Sequence, residues 1–490
     1  MMNEIKYVNT FTADLRSEPG GRKVAMLLWG DPVHLDAQAP QHTLGWMEVI
    51  ARGRRGWLES SKLSDTSLLE IYIIDVGQGD AILYKTPAGL WSLIDAGVSN
   101  RRQMTGKGAP NFIRWKFYED LKQNKISLEN IIVTHPDFDH YGGLFDLLAK
   151  RLPNGKQFDI EIGTLFHSGL PRYRNQPRFG EKVQGIVNPF PTGDHGISRR
   201  GTFYPGLLNN KEDFITALRP FEEQFSNYAN LVGLLAGNVS VLNSQHVYLP
   251  GYEPGMTDVS IRILGPIMEE FSPGRCGLRW LGSEAETING HSITLRLDYK
   301  NVRVLLTGDL NAQSQKLMLS YFPESEFRVN VVKACHHGSA DFSPEFLQAM
   351  NPEVTIVSSG DNENYAHPQP VLLGASAYYG RETFSTSGDK GPPLLFSTEL
   401  ARSVQLAFPS ELQLNEFNDD SDEWRDHPPN HARVKPGTSK SYFRRLDLTS
   451  MAADLVYGLV NIRTNGQEIL CATMEETGND FDVQVIKATQ

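Results

Sequence analysis

Cysteine is scarce: there are three in 490 residues, Cys276, Cys335 and Cys471. They are far apart and odd in number, which excludes a disulfide framework and a cysteine-built zinc knuckle. Long apolar runs are also lacking. Apolar stretches such as residues 131–133 and 302–306 have strand length, well short of the ~20 residues that cross a bilayer. The first nine residues hold one lysine and no apolar run before a small-residue cleavage site. No export signal is read there, and the sequence predicts a soluble, cytoplasmic protein with no membrane insertion. Positive charge is in deficit, with 47 Lys+Arg against 58 Asp+Glu and a net charge of −11. That excludes a basic coat binder of nucleic acid, though not a local basic groove. Glycine (43) and proline (28) are near average, which excludes collagen and wholesale disorder. What remains is globular composition, long enough for a large core and more than one folding unit. Histidine stands out, because five of the 13 fall in three short polar segments.

Residues 1–65 read as a separate unit. Residues 24–28 and 46–50 look like short strands, with turn signals at 18–21, 30–32 and 53–56, which predicts a small β-barrel. The pieces Ala13-Asp14-Leu15-Arg16-Ser17-Glu18-Pro19-Gly20, Gly45-Trp46-Met47-Glu48-Val49 and Gly56-Trp57-Leu58-Glu59 resemble bacterial SH3-like domains. The resemblance implies a contact with a protein partner or a structural lid. From residue 68 onward the pattern is α/β. Strands are predicted at 69–75, 80–85, 91–95, 130–134, 292–299, 303–307, 329–334, 354–358 and 456–461, and helices at 110–123 and 211–236. Two insertions are expected, around 150–288 and 375–450. The second holds the acidic run 418–426 and the Pro/His-rich run 426–436.

The segment Thr134-His135-Pro136-Asp137-Phe138-Asp139-His140-Tyr141-Gly142-Gly143 follows an apolar strand and puts two histidines and two carboxylates within six residues. A tight loop can aim His135 and Asp137 at one metal, and Asp139 and His140 at a second beside it. Imidazole with carboxylate suits zinc, manganese or iron. The plain alternative is a solvated loop whose Asp139 caps a helix. Two further strands end in the same way, 305–309 in Asp309 and 331–339 in the pair His336-His337, and His367 follows the strand 354–358. Consecutive strand-end loops tipped with His or Asp are what a dinuclear site needs.

These residues carry a second resemblance. Asp75-Val76-Gly77-Gln78-Gly79-Asp80-Ala81, Leu93-Ile94-Asp95-Ala96-Gly97 and the 134–143 segment, in this order, are similar to the metallo-β-lactamase superfamily. With Leu305-Leu306-Thr307-Gly308-Asp309, His336-His337-Gly338-Ser339 and the approach to His367-Pro368, they resemble most the metallohydrolase domain of the bacterial DNA-uptake competence channel protein. The resemblance implies an α/β fold, an αββα sandwich after the SH3-like barrel, with a cleft for two divalent ions, zinc or manganese, with magnesium also compatible. His135 and Asp137 would hold the first ion, Asp139 and His140 the second; Asp309 would bridge and His367 would close the shell. One of His336 and His337 would face the cleft and the other support the loop. Asp75 and Asp80 would lie beneath the site and orient the imidazoles, and Asp95 would be structural. A further histidine is expected from a middle strand. His291 is the candidate and His167, which reads more readily as a core histidine, the competitor.

The implied activity is hydrolysis of a phosphodiester, with nucleic acid as substrate, Asp139 orienting the water, and His336 or His337 stabilising charge. The arginine pairs and groups at 101/102, 172/174/178, 199/200 and 444/445 could flank the cleft, or be solvated surface. The alternatives are a metallohydrolase of a small ester, lactone or choline phosphodiester, and a partner-binding protein with a structural metal. The pairing of barrel and hydrolase suggests action with a second protein, for instance in defence against foreign DNA.

Overall fold

The computed structural model describes residues 4–35, 45–77, 79–102, 108–149, 157–171, 179–218, 227–235, 237–359, 367–398, 409–413, 433–436, 458–474 and 480–489. The strands that serve two central sheets are β1 (Leu69–Ile73), β2 (Ile82–Lys85), β3 (Trp91–Ile94), β4 (Ile126–Val133), β5 (Ile160–His167), β6 (Asn238–Val241), β7 (Ser260–Gly265), β8 (Thr294–Tyr299), β9 (Val302–Leu306), β10 (Val331–Lys333), β11 (Val354–Val357), β12 (Leu394–Ser397), β13 (Val460–Thr464), β14 (Glu468–Met474) and β15 (Phe481–Lys487). The first sheet has the order β6-β5-β4-β3-β2-β1-β13-β14-β15 and the second β7-β8-β9-β10-β11-β12.

Strand alternation decides the layers. Leu69, Ile71 and Ile73 of β1 face Leu295 and Leu297 of β8 and Val304 and Leu306 of β9, in one core between the sheets. Tyr72 and Leu83 point the other way, under α1 (Ala109–Arg114) and α2 (Phe138–Leu148). Leu305 and Val332 likewise leave the second sheet on its far side. They pack there on a helix pair, Ala312–Tyr321 and Pro344–Met350. The molecule is therefore layered helix, sheet, sheet, helix. Each fully buried Leu, Ile or Val in that core contributes about 1.5–3 kcal/mol.

The connections put chemistry at one end. β3 and β4 are parallel, as are β9, β10 and β11. The loops after their C-terminal ends, beginning at Asp95, Thr134, Thr307, Ala334 and Ser358, all open on the same edge of the sandwich.

The expected insertion around 150–288 needs correction. β5 pairs with β4, β6 with β5, and β7 with β8, so this stretch supplies three strands of the central sheets. Its true excursion is a small four-stranded sheet of Val183–Ile186, Arg200–Tyr204, Glu269–Ser272 and Arg275–Arg279. The expected insertion around 375–450 also yields a sheet strand, β12, paired with β11. The acidic run 418–426 lies outside the described residues.

The described residues between 5 and 64 form a seven-stranded antiparallel sheet with its own core of Val8, Leu15, Leu27, Val33, Val49 and Leu58. It packs on the outer face of the first sheet, where Leu28 and Trp29 meet Leu470, Ala472 and Phe481. Among the described residues no helix is long and apolar enough to cross a membrane.

Candidate metal centre

Three histidines are held with the same nitrogen forward. His140 lies in the first turn of α2, and its Nδ1 donates to Asp95 Oδ2 at 2.7 Å. Asp95 also accepts from the Thr134 amide at 2.8 Å and the Thr134 hydroxyl at 2.7 Å. A carboxylate only accepts, so the proton sits on His140 Nδ1 and the lone pair on Nε2. Thr134 Oγ1 has spent its proton on Asp95 and accepts from His135 Nδ1, 3.0 Å away. Ser292 Oγ stands 3.2 Å from that nitrogen and donates to the Asn289 carbonyl at 2.7 Å. His337 Nδ1 faces the Ser358 carbonyl at 3.2 Å and Asp80 Oδ1 at 3.3 Å. The Nε2 atoms of His135, His140 and His337 are buried and make no hydrogen bond.

These nitrogens converge on one carboxylate. Asp309 Oδ2 lies 3.3 Å from His140 Nε2 and 3.0 Å from His337 Nε2. Donor atoms within 4.8 Å of one another form the sets His135–His140–Asp309, Asp139–His140–His337 and Asp80–Asp309–His337. Lone pairs aimed at a carboxylate repel it unless positive charge sits between them. The titration directions carry the same demand. Burial pushes His140 down, but Asp309 and Asp95 outweigh it and raise it well above its ordinary value. His337 is likewise pushed down by burial and carried up to about 10 by Asp309 and Asp80. His135 goes the other way, lowered by burial and by charge on His140. Protons on two rings leave the third lone pair bare, whereas a divalent cation serves all three at once. The residues thus fit a metal, with oxygen and nitrogen donors of intermediate hardness.

The remaining expected residues fall around this centre. Asp137 Oδ2 lies 3.8 Å from His135 Nε2, and Asp139 Oδ2 3.9 Å from His337 Nε2. His336 is partly exposed, its Nε2 3.9 Å from Asp309 and 3.4 Å from Asn289 Nδ2. His336 and His337 both have positive φ, 47° and 52°, a strained pair that turns one ring into the centre and the other toward the opening. His367 lies near both, edge-on to His336 at 5.7 Å and tilted to His337 at 6.3 Å between ring centroids, and joins no donor set found among the described residues. Asp80 supports His337. Asp75 accepts from the Gly77 amide at 3.2 Å and shapes its own loop.

His291 is a correction: its Nε2 lies 2.6 Å from the Arg279 carbonyl, as the residue that ends the helix Glu284–Gly290, so its ring is committed to backbone. His167 is a core histidine, its Nδ1 accepting from the Gly169 amide at 3.0 Å beside Phe214. Of the arginines, Arg102 lies over the ring of Phe138, the residue before Asp139, at 4.6 Å. Arg199 donates to the Val187 carbonyl on the small sheet. Those at 172, 174, 178, 444 and 445 lie outside the described residues.

Sequence reasoning missed Asp95 as the anchor of His140, the Thr134 and Ser292 hydroxyls, and Lys333. The Lys333 ammonium is buried against Asp80, 3.0 Å from the Gly308 carbonyl and 3.6 Å from Asp309 Oδ1. The only signal was a lysine inside an apolar strand.

Parts of the chain are similar in sequence to known proteins. ComE operon protein 3 of Bacillus subtilis is 33% identical over 86 residues, 17% of this chain and 11% of that protein. Competence protein ComA of Neisseria gonorrhoeae is 26% identical over 98 residues, 20% of this chain and 14% of that protein. Lactamase-like protein nscB of Neosartorya fischeri is 28% identical over 160 residues, 31% of this chain and 44% of that protein. The chain therefore spans less than half the length of each of these relatives. Residues 74–176 match the metallo-beta-lactamase superfamily, and with them the chain carries a domain of that superfamily.

Proposed function

We propose that this protein is a metal-dependent phosphodiesterase acting on nucleic acid, with two divalent ions, zinc or manganese, held by His135, Asp137, Asp139, His140, His337, Asp309 and His367. The observation that carries the reading is the convergence of three buried, hydrogen-bond-free Nε2 atoms on Asp309. Divalent cations held there would supply Lewis acidity toward a phosphoryl oxygen and acidify a water nucleophile. Asp139 has its side chain 23% exposed, so substrate and water can reach it. It takes the proton as the water oxygen bonds to phosphorus, and the ester oxygen leaves with a proton returned to it. His336 stands at the opening and donates a hydrogen bond to a phosphoryl oxygen, which stabilises the charge gathering there. Arg102, fixed on Phe138 beside Asp139, suits a neighbouring phosphate of a polymer. The resemblance of the motifs to the metallohydrolase domain of the DNA-uptake competence channel favours DNA over other phosphodiesters, beside the partial likeness to a competence protein.

The second reading is hydrolysis of a small ester or lactone, favoured by the likeness to a lactamase-like fungal protein over a longer stretch. Metal analysis of the purified protein, followed by assay on single- and double-stranded DNA, a chromogenic phosphodiester, a lactone and a β-lactam, separates the two. Asp139→Asn is expected to lower DNA cleavage by about 10²–10⁴-fold. Equal rates for the variant and the parent protein with every metal would sink the catalytic assignment.

A further inference from the structure

At the opposite ends of the strands that carry the metal centre lies a second concave site. It is a cavity of about 310 Å³ lined by Lys300, Arg303, Arg328, Asn330, Arg381 and Thr489, among others. Lys300 and Arg303 flank the start of β9, and Arg328 and Asn330 precede β10. Asp309 lies six residues beyond Arg303, roughly 20 Å along an extended chain. The two sites therefore share strands but not space.

Four cations line this cavity, and no carboxylate does among the described residues. Two of the cations are anchored by hydrogen bonds, Arg381 mostly buried and Arg303 with its side chain 44% exposed. Arg381 donates to the Val329 carbonyl at 2.7 Å, the Asn351 carbonyl at 2.5 Å, the Thr489 carbonyl at 3.3 Å and from Nε to Thr489 Oγ1 at 3.0 Å, with Glu353 3.5 Å away, so it contributes charge to the cavity rather than a free donor pair. Arg303 donates to the Ser325 carbonyl at 3.2 Å and lies 3.8 Å from Asp298. The other two are exposed, and among the described residues neither Lys300 nor Arg328 has an acidic partner. Lys300 donates only to the Asn465 carbonyl, at 3.0 Å. Burial lowers the Arg381 guanidinium, Glu353 opposes that shift, and the like charge of Arg328 adds to it. In a chain of net charge −11, four cations brought together without a lining carboxylate are not the average surface. Guanidinium charge fixed in place by backbone carbonyls, beside the exposed Lys300 and Arg328 whose donors face the opening, attracts phosphoryl oxygens. The volume falls in the ~300–1,000 Å³ range of small-molecule sites, larger than a single ion requires.

We propose that this cavity is a second anion site that binds a ligand bearing more than one phosphate group, remote from the metal centre. Such a group comes either from a free phosphate ester, such as a nucleotide, or from the backbone of a nucleic acid.

The test uses the full chain as purified. Binding of pyrophosphate is measured by calorimetry, and binding of a short fluorescent DNA by anisotropy. Both are repeated for Arg328→Glu with Lys300→Glu, and separately for Asp309→Asn. Both reversed positions are exposed, so the melting temperature should stay near the parent's, and circular dichroism checks this. Pyrophosphate affinity is expected to fall about tenfold or more in the charge-reversed protein. A contribution of this pocket to pyrophosphate binding should persist in Asp309→Asn. Loss confined to pyrophosphate supports a free phosphate ester, and parallel loss for DNA supports the backbone. If both probes bind the charge-reversed protein as they bind the parent, or if Asp309→Asn alone removes all pyrophosphate binding, the proposal is overturned.

Discussion

Asp95 has a role that its place in the chain conceals. It sits one residue past β3 at φ 56° and binds a histidine 45 positions away. A motif reader sees an aspartate at a strand end and calls it structural. In the fold it decides which nitrogen of His140 is available. Asp95→Asn keeps the shape but offers an amide where a carboxylate held the imidazole proton. Metal affinity is expected to fall about 10–100-fold. Titration against a competing chelator measures this, and an unchanged dissociation constant would count against the anchoring role. The proposed ligands were legible because they cluster within six residues or at strand ends. Thr134, Ser292 and Lys333 were not, because hydroxyls and a lone lysine are common and only proximity gives them meaning.

At the scale of elements, the loops matter more than the strands. The turn after β1 passes so close to α2 that a Cβ added at Gly79 would sit 1.7 Å from the Asp139 carbonyl oxygen. Its φ of 94° is also outside the range of ordinary side chains. Gly143, on α2 itself, has the same constraint against Ala96, at 2.1 Å. Gly79→Ala is therefore expected to push the start of α2 away from β1. Both stability and metal content should drop, read by thermal melting and elemental analysis of the same sample. Retention of full metal content would show that the Asp139 loop tolerates the shift. Apolar alternation located nine of the fifteen central strands. It missed β5, β6, β7 and β12, which fall within the two stretches expected as insertions, and β14 and β15 near the end of the chain. β5 also alternates half-exposed residues in its first half, as an outer strand does.

For the whole molecule, the N-terminal unit is joined to the first sheet by buried charge. Arg463 of β13 reaches Asp31 at 2.7 Å and the Trp29 carbonyl at 2.7 Å, both across the junction. His34 meets the Asp120 carbonyl at 2.9 Å, and Lys116 holds the Asp120 carboxylate at 2.6 Å. Burial raises the Asp31 carboxyl, but Arg463, Arg52 and Lys116, with the Leu28 amide, together outweigh it and leave it below its ordinary value of 3.8. A lowered folded-state value means stability that is present above 3.8 and lost as the pH falls through the lower, folded-state value. Asp31→Asn strands the buried guanidinium and is expected to destabilise by about 3–5 kcal/mol at neutral pH. The gap from the parent protein should shrink on acidification below 3.8, measured by denaturant unfolding across pH. A gap independent of pH would mean that Asp31 acts by packing alone. This joint makes the N-terminal unit part of the sandwich's outer cover, over β14 and β15, as helices cover the rest.

By itself, the sequence determined the class of the fold, the strand-end positions of His135, Asp137, Asp139, His140, Asp309, His336 and His337, and the exclusion of cysteine chemistry. Those follow from periodicity and local spacing, which are properties of neighbours in the chain. Only the tertiary structure decided which nitrogen each histidine presents, that His337 turns in while His336 turns out, and that His291 is committed to a carbonyl. It also gathered Lys300, Arg303, Arg328 and Arg381 around one cavity. Each of these depends on a hydrogen bond or a charge contact between segments far apart in sequence. Burial in a region of low polarizability is what makes such contacts strong enough to choose one arrangement.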